Sequence, residues 1–201
     1  LSVFCGHCEQ CVTGHLSLCG EDEVNRGPEE EPRLSQDGQS LEQFARLGSF
    51  AEMMLVHEHA VVKIREDMPS AQAALIGCGV TTGIGAVIHT AKVEPGATVA
   101  VIGCGGIGLS TINGAAIAGA SRIIAVDMVA SKLELARKFG ATDVVDASDG
   151  DAVAKVKELT GGGVHYSFEA IGLKVCAEQA FQMLRIGCLL YTSDAADEVL
   201  G

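Results

Sequence analysis

Short apolar strands and amphipathic helices alternate through the second half of this 201-residue chain, and no other feature restricts its possible folds so strongly. Each apolar run is rich in branched residues, and a stretch with helical periodicity separates it from the next. Alternation of this kind predicts a parallel sheet covered by helices on both faces. The four runs are TVAVIG (98–103), RIIAVD (122–127), DVVDA (143–147) and HYSFEAI (165–171).

The first of these strands leads into a glycine-rich turn, GCGGIG at 103–108, which a helical pattern follows directly. Gly103, Gly105 and Gly108 occupy the glycine positions of the dinucleotide-binding pattern. The first glycine permits a tight turn, the second lets backbone N–H groups approach a pyrophosphate, and the third lets the helix pack closely on the strand. The sequence therefore predicts that an anion binds at the N-terminus of this helix.

An acidic residue at the end of the second strand completes the pattern. The Asp127 carboxylate can accept hydrogen bonds from both hydroxyls of an adenosine ribose, and its charge would repel a 2′-phosphate. The sequence therefore favours NAD over NADP, the alternative being an acid that merely ends a strand. In the doubly wound order we expect 98–103 at the centre, 122–127 and 143–147 on one side, and 165–170 on the other.

Four of the eight cysteines lie close together near the N-terminus, in CGHCEQCVTGHLSLC. A disulfide framework is typical of small secreted domains, and nothing here looks secreted. Iron–sulfur sites use a shorter last interval followed by proline, whereas Gly20 follows here. A closed four-thiolate zinc site would fold a loop that is too short to hold itself together. We favour zinc, with Cys5, Cys8, Cys11 and Cys19 as its ligands.

The composition argues against several classes of partner. The net charge of −12 leaves no basic surface for nucleic acid and disfavours anionic membranes. No apolar run is expected to reach the roughly 20 residues that span a bilayer. Because no signal peptide is visible either, we expect a cytoplasmic protein with neither a nucleic acid nor a membrane as partner.

The first half of the chain carries weaker signals. An acidic segment after Cys19 contains Pro28 and Pro32 and is typical of a surface loop. The β-rich stretch FAEMMLVHEHAVVKI (50–64) predicts one or two strands. His57 and His59 would share one strand face there, and they are a conceivable but disfavoured metal pair because no third ligand lies nearby.

Taken together, these motifs resemble those of the zinc-dependent alcohol dehydrogenases of the medium-chain dehydrogenase/reductase superfamily. The likeness runs from Cys5 to about Gly187. The resemblance implies a structural zinc held by the four cysteines and a second zinc, bound by one His and two Cys, that polarises the alcohol oxygen. Besides the cysteine spacing, it rests on LIGCGVTTGIGAVIHTAKVEPG (75–96), VAVIGCGGIGLS (99–110), AVDMVASKLELARKFGAT (125–142) and FEAIG (168–172).

The resemblance also assigns roles to single positions. Cys78 matches the last protein ligand of the catalytic zinc, although from the sequence alone a buried inert thiol is an alternative. Thr82 and Ile107 match positions that press on the nicotinamide, and Lys132 matches a residue near the adenosine ribose. The complete cofactor-binding set implied in this way is Thr82, Gly103, Gly105, Gly106, Ile107, Gly108, Asp127, Lys132, Ile171 and Gly172.

The resemblance implies a division into domains. Residues 1–79 would be the last part of a GroES-like, mainly-β catalytic domain, with the zinc lobe at 5–19. Residues 80–187 would be a truncated NAD-binding Rossmann domain. The other catalytic-zinc ligands and the proton relay would lie upstream of Leu1, outside the chain. CLLYTSDAADE (188–198) resembles a translated sequencing adapter, so we expect 188–201 to be a non-native tail; alternatively, GCLLYTS begins a fifth strand.

The implied activity is oxidation of an alcohol to an aldehyde or ketone, with hydride transfer to NAD. An alternative within the family is oxidation of an S-(hydroxymethyl) thiol, the adduct of formaldehyde. Outside the family, a non-enzymatic zinc-stapled binding or electron-carrier module and a methyltransferase are weaker alternatives. We expect the full-length enzyme to be a homo-oligomer acting on a small molecule, and this chain alone to be inactive.

Overall fold

The structure is a computed structural model that describes residues 3–25, 27, 29–43 and 48–192. The chain divides into two compact units, Leu1–Met68 and Pro69–Gly201. The division into domains expected from the resemblance stays a prediction.

The first unit contains little regular structure within its described residues. A short helix, α1 (Glu9–Val12), follows the first two cysteines. Strands β1 (Leu34–Gln36) and β2 (Gln39–Leu41) form an antiparallel hairpin. Its two-residue turn, Asp37–Gly38, has positive φ at both positions, as type I′ hairpin turns require.

The strands expected within 50–64 do not form. The described backbone there contains only a single 3₁₀ turn, Glu58–Ala60. Phe50, Met53 and Val62 are largely exposed. A strand needs a neighbouring strand to bond its backbone groups, and the described part of this unit offers none to the segment.

The second unit is a parallel five-stranded sheet in the order β5-β4-β3-β6-β7. The expected doubly wound sheet is confirmed, with the strand that precedes the glycine turn at its centre. The strands are β3 (Thr98–Ile102), β4 (Arg122–Asp127), β5 (Asp143–Asp146), β6 (Val164–Glu169) and β7 (Leu184–Thr192). The helices after β3, β4, β5 and β6 are Gly106–Ile117 (α3), Ala130–Lys138 (α4), Ala152–Thr160 (α5) and Lys174–Gln182 (α6).

The fifth strand corrects an expectation about the end of the chain. We expected the sheet to stop after 165–170, but β7 pairs in parallel with β6, placing Tyr191 beside Phe168. The alternative, that GCLLYTS begins a fifth strand, is therefore confirmed for its described residues, 187–192. The non-native origin of 188–201 stays a prediction, and 193–201 lie outside the described residues.

The central strands β3 and β4 are buried on both faces, which explains why they read as continuous apolar runs. Along β3, Val99 and Val101 point into a core with α3, whereas Ala100 and Ile102 point into the opposite core. The carboxyl ends of the five strands meet at one edge, and the glycine turn lies there.

A long helical segment, α2 (Ser70–Thr90), precedes the sheet and contains two wide π-helical turns. By length and composition it could cross a membrane, with a mean hydropathy of 1.6 and 17% of the apolar window buried. The expectation that no apolar run reaches this length is therefore wrong. Core helices of soluble proteins can have the same length and composition, so one such helix assigns no membrane location.

Candidate dinucleotide site and cysteine lobe

The glycine turn after β3 has geometry that side chains would prevent. Gly103 has φ +95°, and a Cβ there would lie 2.6 Å from the Cγ1 atom of Ile171. A Cβ on Gly108 would lie 1.7 Å from the Gly103 carbonyl oxygen. These contacts bring the start of α3 against the end of β3, as the sequence pattern predicts.

The outer side of the same turn is open. Cβ atoms built on Gly105 and Gly106 would meet no atom within 4 Å among the residues that the structure describes. Gly105 is the N-cap of α3 and has no side chain to cap the helix. The N-terminal turn and the open space above it fit a pyrophosphate, which backbone N–H groups at a helix N-terminus bind.

Asp127 ends β4 beside this turn and is 9% exposed. Its Oδ2 accepts a hydrogen bond from the Cys104 N–H (2.8 Å), and its Oδ1 accepts one from the Val129 N–H (3.0 Å). The ammonium group of Lys132 lies 4.0 Å from Oδ2. Because each carboxylate oxygen has a second lone pair, Asp127 can still accept hydrogen bonds from a ribose.

The loop after β6 forms the opposite wall of the turn. Ile171 and Gly172 are exposed, and the side chain of Ile171 lies directly over Gly103. The N–H groups of Ile171 and Gly172 both donate to Oε1 of Glu169, at 2.7 and 2.9 Å. Glu169 is not among the residues expected from the sequence; its only local signal is an acid at the end of a buried strand, three residues before a glycine.

Helix α2 brings a further expected residue, Thr82, towards the start of α3. Gly83 packs so closely on α3 that its Cβ would lie 2.6 Å from the Ile107 carbonyl oxygen. Thr82, the neighbour of Gly83, is therefore held near Ile107. The structure thus gathers the cofactor-binding set of the sequence analysis around the carboxyl edge of the sheet and the adjoining helices.

Cys78 lies on the same helix, in the wide turn Ile76–Val80, and it is exposed. Wide turns of this kind are frequent at functional sites. Within the described ranges, Cys78 belongs to no cluster of three or more metal-binding side chains. Its thiol is therefore accessible but has no second ligand in the described structure.

The cysteine lobe of the first unit brings four sulfur atoms together. The Sγ atoms of Cys5, Cys8, Cys11 and Cys19 lie within 4.8 Å of one another. The Cys5–Cys11 and Cys8–Cys19 sulfur pairs are 3.8 and 3.9 Å apart. A tetrahedron with zinc–sulfur bonds of about 2.3 Å has edges of about 3.8 Å. The donor set and its spacing therefore fit a zinc ion.

Backbone N–H groups prepare this lobe for negative charge. The Cys5 N–H points to the Cys19 sulfur at 3.4 Å, and the Cys8 N–H points to the Cys5 sulfur at 3.3 Å. Backbone hydrogen bonds, from Glu21 first and then from Cys5, lower the pKa of Cys19 to about 7. A backbone hydrogen bond from Cys11 also acts on Cys8, but desolvation and the neighbouring thiols outweigh it and raise the pKa of Cys8 to about 12, so the negative charge is favoured first at Cys19. Thiolates are the form that binds zinc.

His57, His59 and two buried thiols of the second unit lie outside these clusters. His59 Nδ1 lies 2.6 Å from the Phe4 carbonyl oxygen, and His57 Nδ1 accepts the His59 N–H. Neither histidine belongs to a metal-binding cluster in the described part of the chain. Burial raises the pKa of the Cys104 thiol to about 12, and Cys176 is a buried residue of α6.

Comparison with known proteins adds independent information. Residues 106–191 match the family described as zinc-binding dehydrogenase. The probable S-(hydroxymethyl)glutathione dehydrogenase 1 of Schizosaccharomyces pombe is 42% identical over 188 residues, or 91% of this chain and 50% of that protein. The class-3 alcohol dehydrogenase of Myxine glutinosa is 42% identical over 174 residues, covering 84% of this chain and 46% of that protein.

Solved structures with a similar fold include further alcohol dehydrogenases. Benzyl alcohol dehydrogenase from Acinetobacter calcoaceticus superposes with a TM-score of 0.78 and 35% identity, covering 95% of this chain and 53% of the other. A zinc-binding-domain alcohol dehydrogenase from Burkholderia ambifaria superposes with a TM-score of 0.79 and 33% identity, covering 100% and 59%. The chain spans about half the length of the curated relatives it matches.

Proposed function

Because the chain belongs to the zinc-dependent alcohol dehydrogenases of the medium-chain dehydrogenase/reductase superfamily, we propose that its unit Pro69–Gly201 binds NAD for hydride transfer from an alcohol. The observation that supports this most is the open glycine turn beside Asp127. The turn offers an anion site, and the carboxylate next to it offers acceptors for ribose hydroxyls.

Each expected residue has a distinct task in this proposal. The first turn of α3 binds the pyrophosphate, and Asp127 accepts hydrogen bonds from the adenosine ribose while Lys132 lies beside it. Ile171 covers the glycine turn, and Thr82 and Ile107 orient the nicotinamide ring. When bound, NAD supplies the hydride acceptor, and zinc at the catalytic position supplies a Lewis acid for the alcohol. Cys78 provides one ligand for that zinc.

The cysteine lobe has a separate role in the proposal. Four thiolates complete a tetrahedron and leave no open position for a substrate. Zinc in this lobe therefore stabilises the first unit and takes no part in the reaction. Such a closed site contributes directly to folding.

A second substrate class is favoured by the comparisons. Relatives from Schizosaccharomyces pombe and Synechocystis are named S-(hydroxymethyl)glutathione dehydrogenases. The hydroxyl of an S-(hydroxymethyl) thiol is chemically an alcohol, so the same hydride transfer applies to it. We retain this thiol adduct beside simple alcohols as the proposed substrate, together with a cytoplasmic location and a homo-oligomeric full-length enzyme.

Titration with reduced dinucleotides tests the proposal directly. The chain contains no tryptophan, so the fluorescence of NADH can be followed without interference from indole emission. We expect saturable enhancement with NADH and at least about tenfold weaker binding of NADPH, because Asp127 repels a 2′-phosphate. Absence of saturable NADH binding by the folded chain would overturn the proposal.

A further inference from the structure

We propose that Glu169 is a positioning residue of the dinucleotide site, acting through the loop that carries Ile171 and Gly172. This inference rests on the proposed binding of NAD. The carboxylate itself is 2% exposed and cannot reach a bound ligand across the loop that covers it. Its effect on the cofactor is therefore exerted through the loop, by fixing the position of the Ile171 side chain.

The contacts of Glu169 show how it shapes the loop. One oxygen, Oε1, accepts hydrogen bonds from two backbone groups, the Ile171 N–H at 2.7 Å and the Gly172 N–H at 2.9 Å. Gly172 has φ +86°, so the chain reverses there. A buried carboxylate is costly unless it is hydrogen-bonded, and backbone N–H groups left without an acceptor are costly too. The buried Glu169 carboxylate therefore needs these N–H groups as donors, and the N–H groups of Ile171 and Gly172 need the carboxylate as acceptor.

The loop that Glu169 holds is in contact with the glycine turn. The Ala170 N–H donates to the Ile102 carbonyl at 2.9 Å, which joins the loop to the end of β3. One residue later, the Cγ1 atom of Ile171 lies 2.6 Å from the position that a Cβ on Gly103 would take. Ile171 is still 44% exposed, so part of its surface can contact a ligand in the open turn.

Glu169 and Asp127 form a matching pair on either side of β3. Asp127 ends β4 and accepts the N–H of Cys104, inside the glycine turn. Glu169 ends β6, the other neighbour of β3, and accepts two N–H groups of the facing loop. We call the glycine turn (103–108) and the facing loop (170–172) together the cradle. One buried carboxylate thus holds each of its two walls. Only Asp127 is placed to contact the ribose, whereas Glu169 fixes the position of Ile171.

The test compares Glu169→Met, which keeps the length of the side chain but removes the acceptor, with Glu169→Gln, which retains an acceptor oxygen. Ser167→Ala is the matched control, because Ser167 is buried two residues earlier on the same strand and its Oγ lacks a hydrogen-bond partner in the described structure. The measurements are NADH affinity by fluorescence and amide hydrogen exchange without cofactor.

We expect Glu169→Met to bind NADH about tenfold more weakly and to exchange the Ile171 and Gly172 amides about tenfold faster. Glu169→Gln should recover most of the affinity, within about threefold of the unchanged chain, and Ser167→Ala should match it. If the Met variant folds and binds NADH with unchanged affinity, the inference is wrong. Equal losses in the Gln and Met variants would also contradict it, because the acceptor would then not be the cause.

A second variant covers the case in which Glu169→Met does not fold. Ile171→Ala removes only a half-exposed side chain, so we expect unchanged thermal stability and a severalfold loss of NADH affinity. Unchanged affinity in Ile171→Ala overturns the inference. Failure of the unsubstituted chain to bind NADH overturns the proposed function and this inference together, whereas binding without an effect of these variants overturns the inference alone.

Discussion

At the scale of single residues, two glycines of one turn have opposite surroundings. Gly108 is enclosed, since a Cβ there would overlap the backbone oxygen of Gly103. Gly105 is open, has φ −81°, and would place a Cβ in empty space. One position therefore serves the packing of α3 on the sheet, and the other serves the ligand that we expect above the turn.

This difference predicts that two similar substitutions have different effects. Gly108→Ala should lower the free energy of unfolding by about 3 kcal/mol, because backbone must move to admit the methyl group. Gly105→Ala should change the unfolding free energy by less than about 0.5 kcal/mol but abolish NADH binding, because the methyl group fills the anion site. Urea denaturation and NADH titration measure the two effects. Full NADH affinity in Gly105→Ala would show that the turn does not hold the pyrophosphate.

Asp127 combines a structural and a recognition task, and its replacement should affect both. Asp127→Asn keeps one acceptor oxygen but presents N–H₂ to one of the backbone donors of Cys104 and Val129. We expect NADH affinity to fall about tenfold and the preference for NADH over NADPH to shrink by a similar factor. Competition titrations with both dinucleotides measure this. If the preference for NADH over NADPH were unchanged, residues other than Asp127 would discriminate between the two dinucleotides.

The sequence could predict Asp127 but not Glu169, and the reason is physical. Asp127 has a fixed spacing from the glycine turn along the chain, because one helix and one strand separate them. The task of Glu169 depends on a tertiary contact, the packing of Ile171 over Gly103. No local pattern encodes that contact, so an acid ending a buried strand is all that the sequence offers.

At the scale of elements, the four apolar strands that alternate with helices were predicted best. The run at 122–127 coincides with β4, and the other three runs agree with their strands to within two residues at each end. Helix α5 ends at Gly161, which adopts the left-handed conformation that glycine favours after a helix. The prediction of strands within 50–64 was wrong because a strand also needs a partner strand, and the β-propensity of a segment does not show whether a partner is present.

The cysteine lobe allows a prediction at the same scale. Cys11→Ser removes a buried ligand, so the zinc content of the purified chain should fall from about one ion to none. Cys78→Ser is the control, because that thiol is exposed and lies in the other unit. Elemental analysis of both variants measures the effect. If Cys11→Ser retained its zinc and Cys78→Ser lost it, the zinc would be bound at Cys78 and not in the cysteine lobe.

At the scale of the whole molecule, we expect no alcohol oxidation by the 201-residue chain. Catalytic zinc sites use three protein ligands, and in the described structure Cys78 stands apart from any cluster of metal-binding side chains. NADH should therefore bind without being formed from NAD and ethanol. Absorbance at the NADH band, measured with about one zinc per chain present, checks this. Turnover accompanied by two zinc ions would show that residues within the chain complete the site.

The central position of β3 also determines the order in which the cradle is completed during synthesis. Parallel strands cannot be joined by a tight turn. During synthesis, β3 can therefore pair on one side only after β4 has been made, and on the other side only after β6 has been made. The bond between Thr98 and His165 spans 67 positions of the chain, so this side closes late. Such distant pairings make folding slow and leave intermediates open to aggregation. On the ribosome, we therefore expect the wall held by Asp127 to form first. The second wall of the dinucleotide site cannot form until Glu169 has left the ribosome.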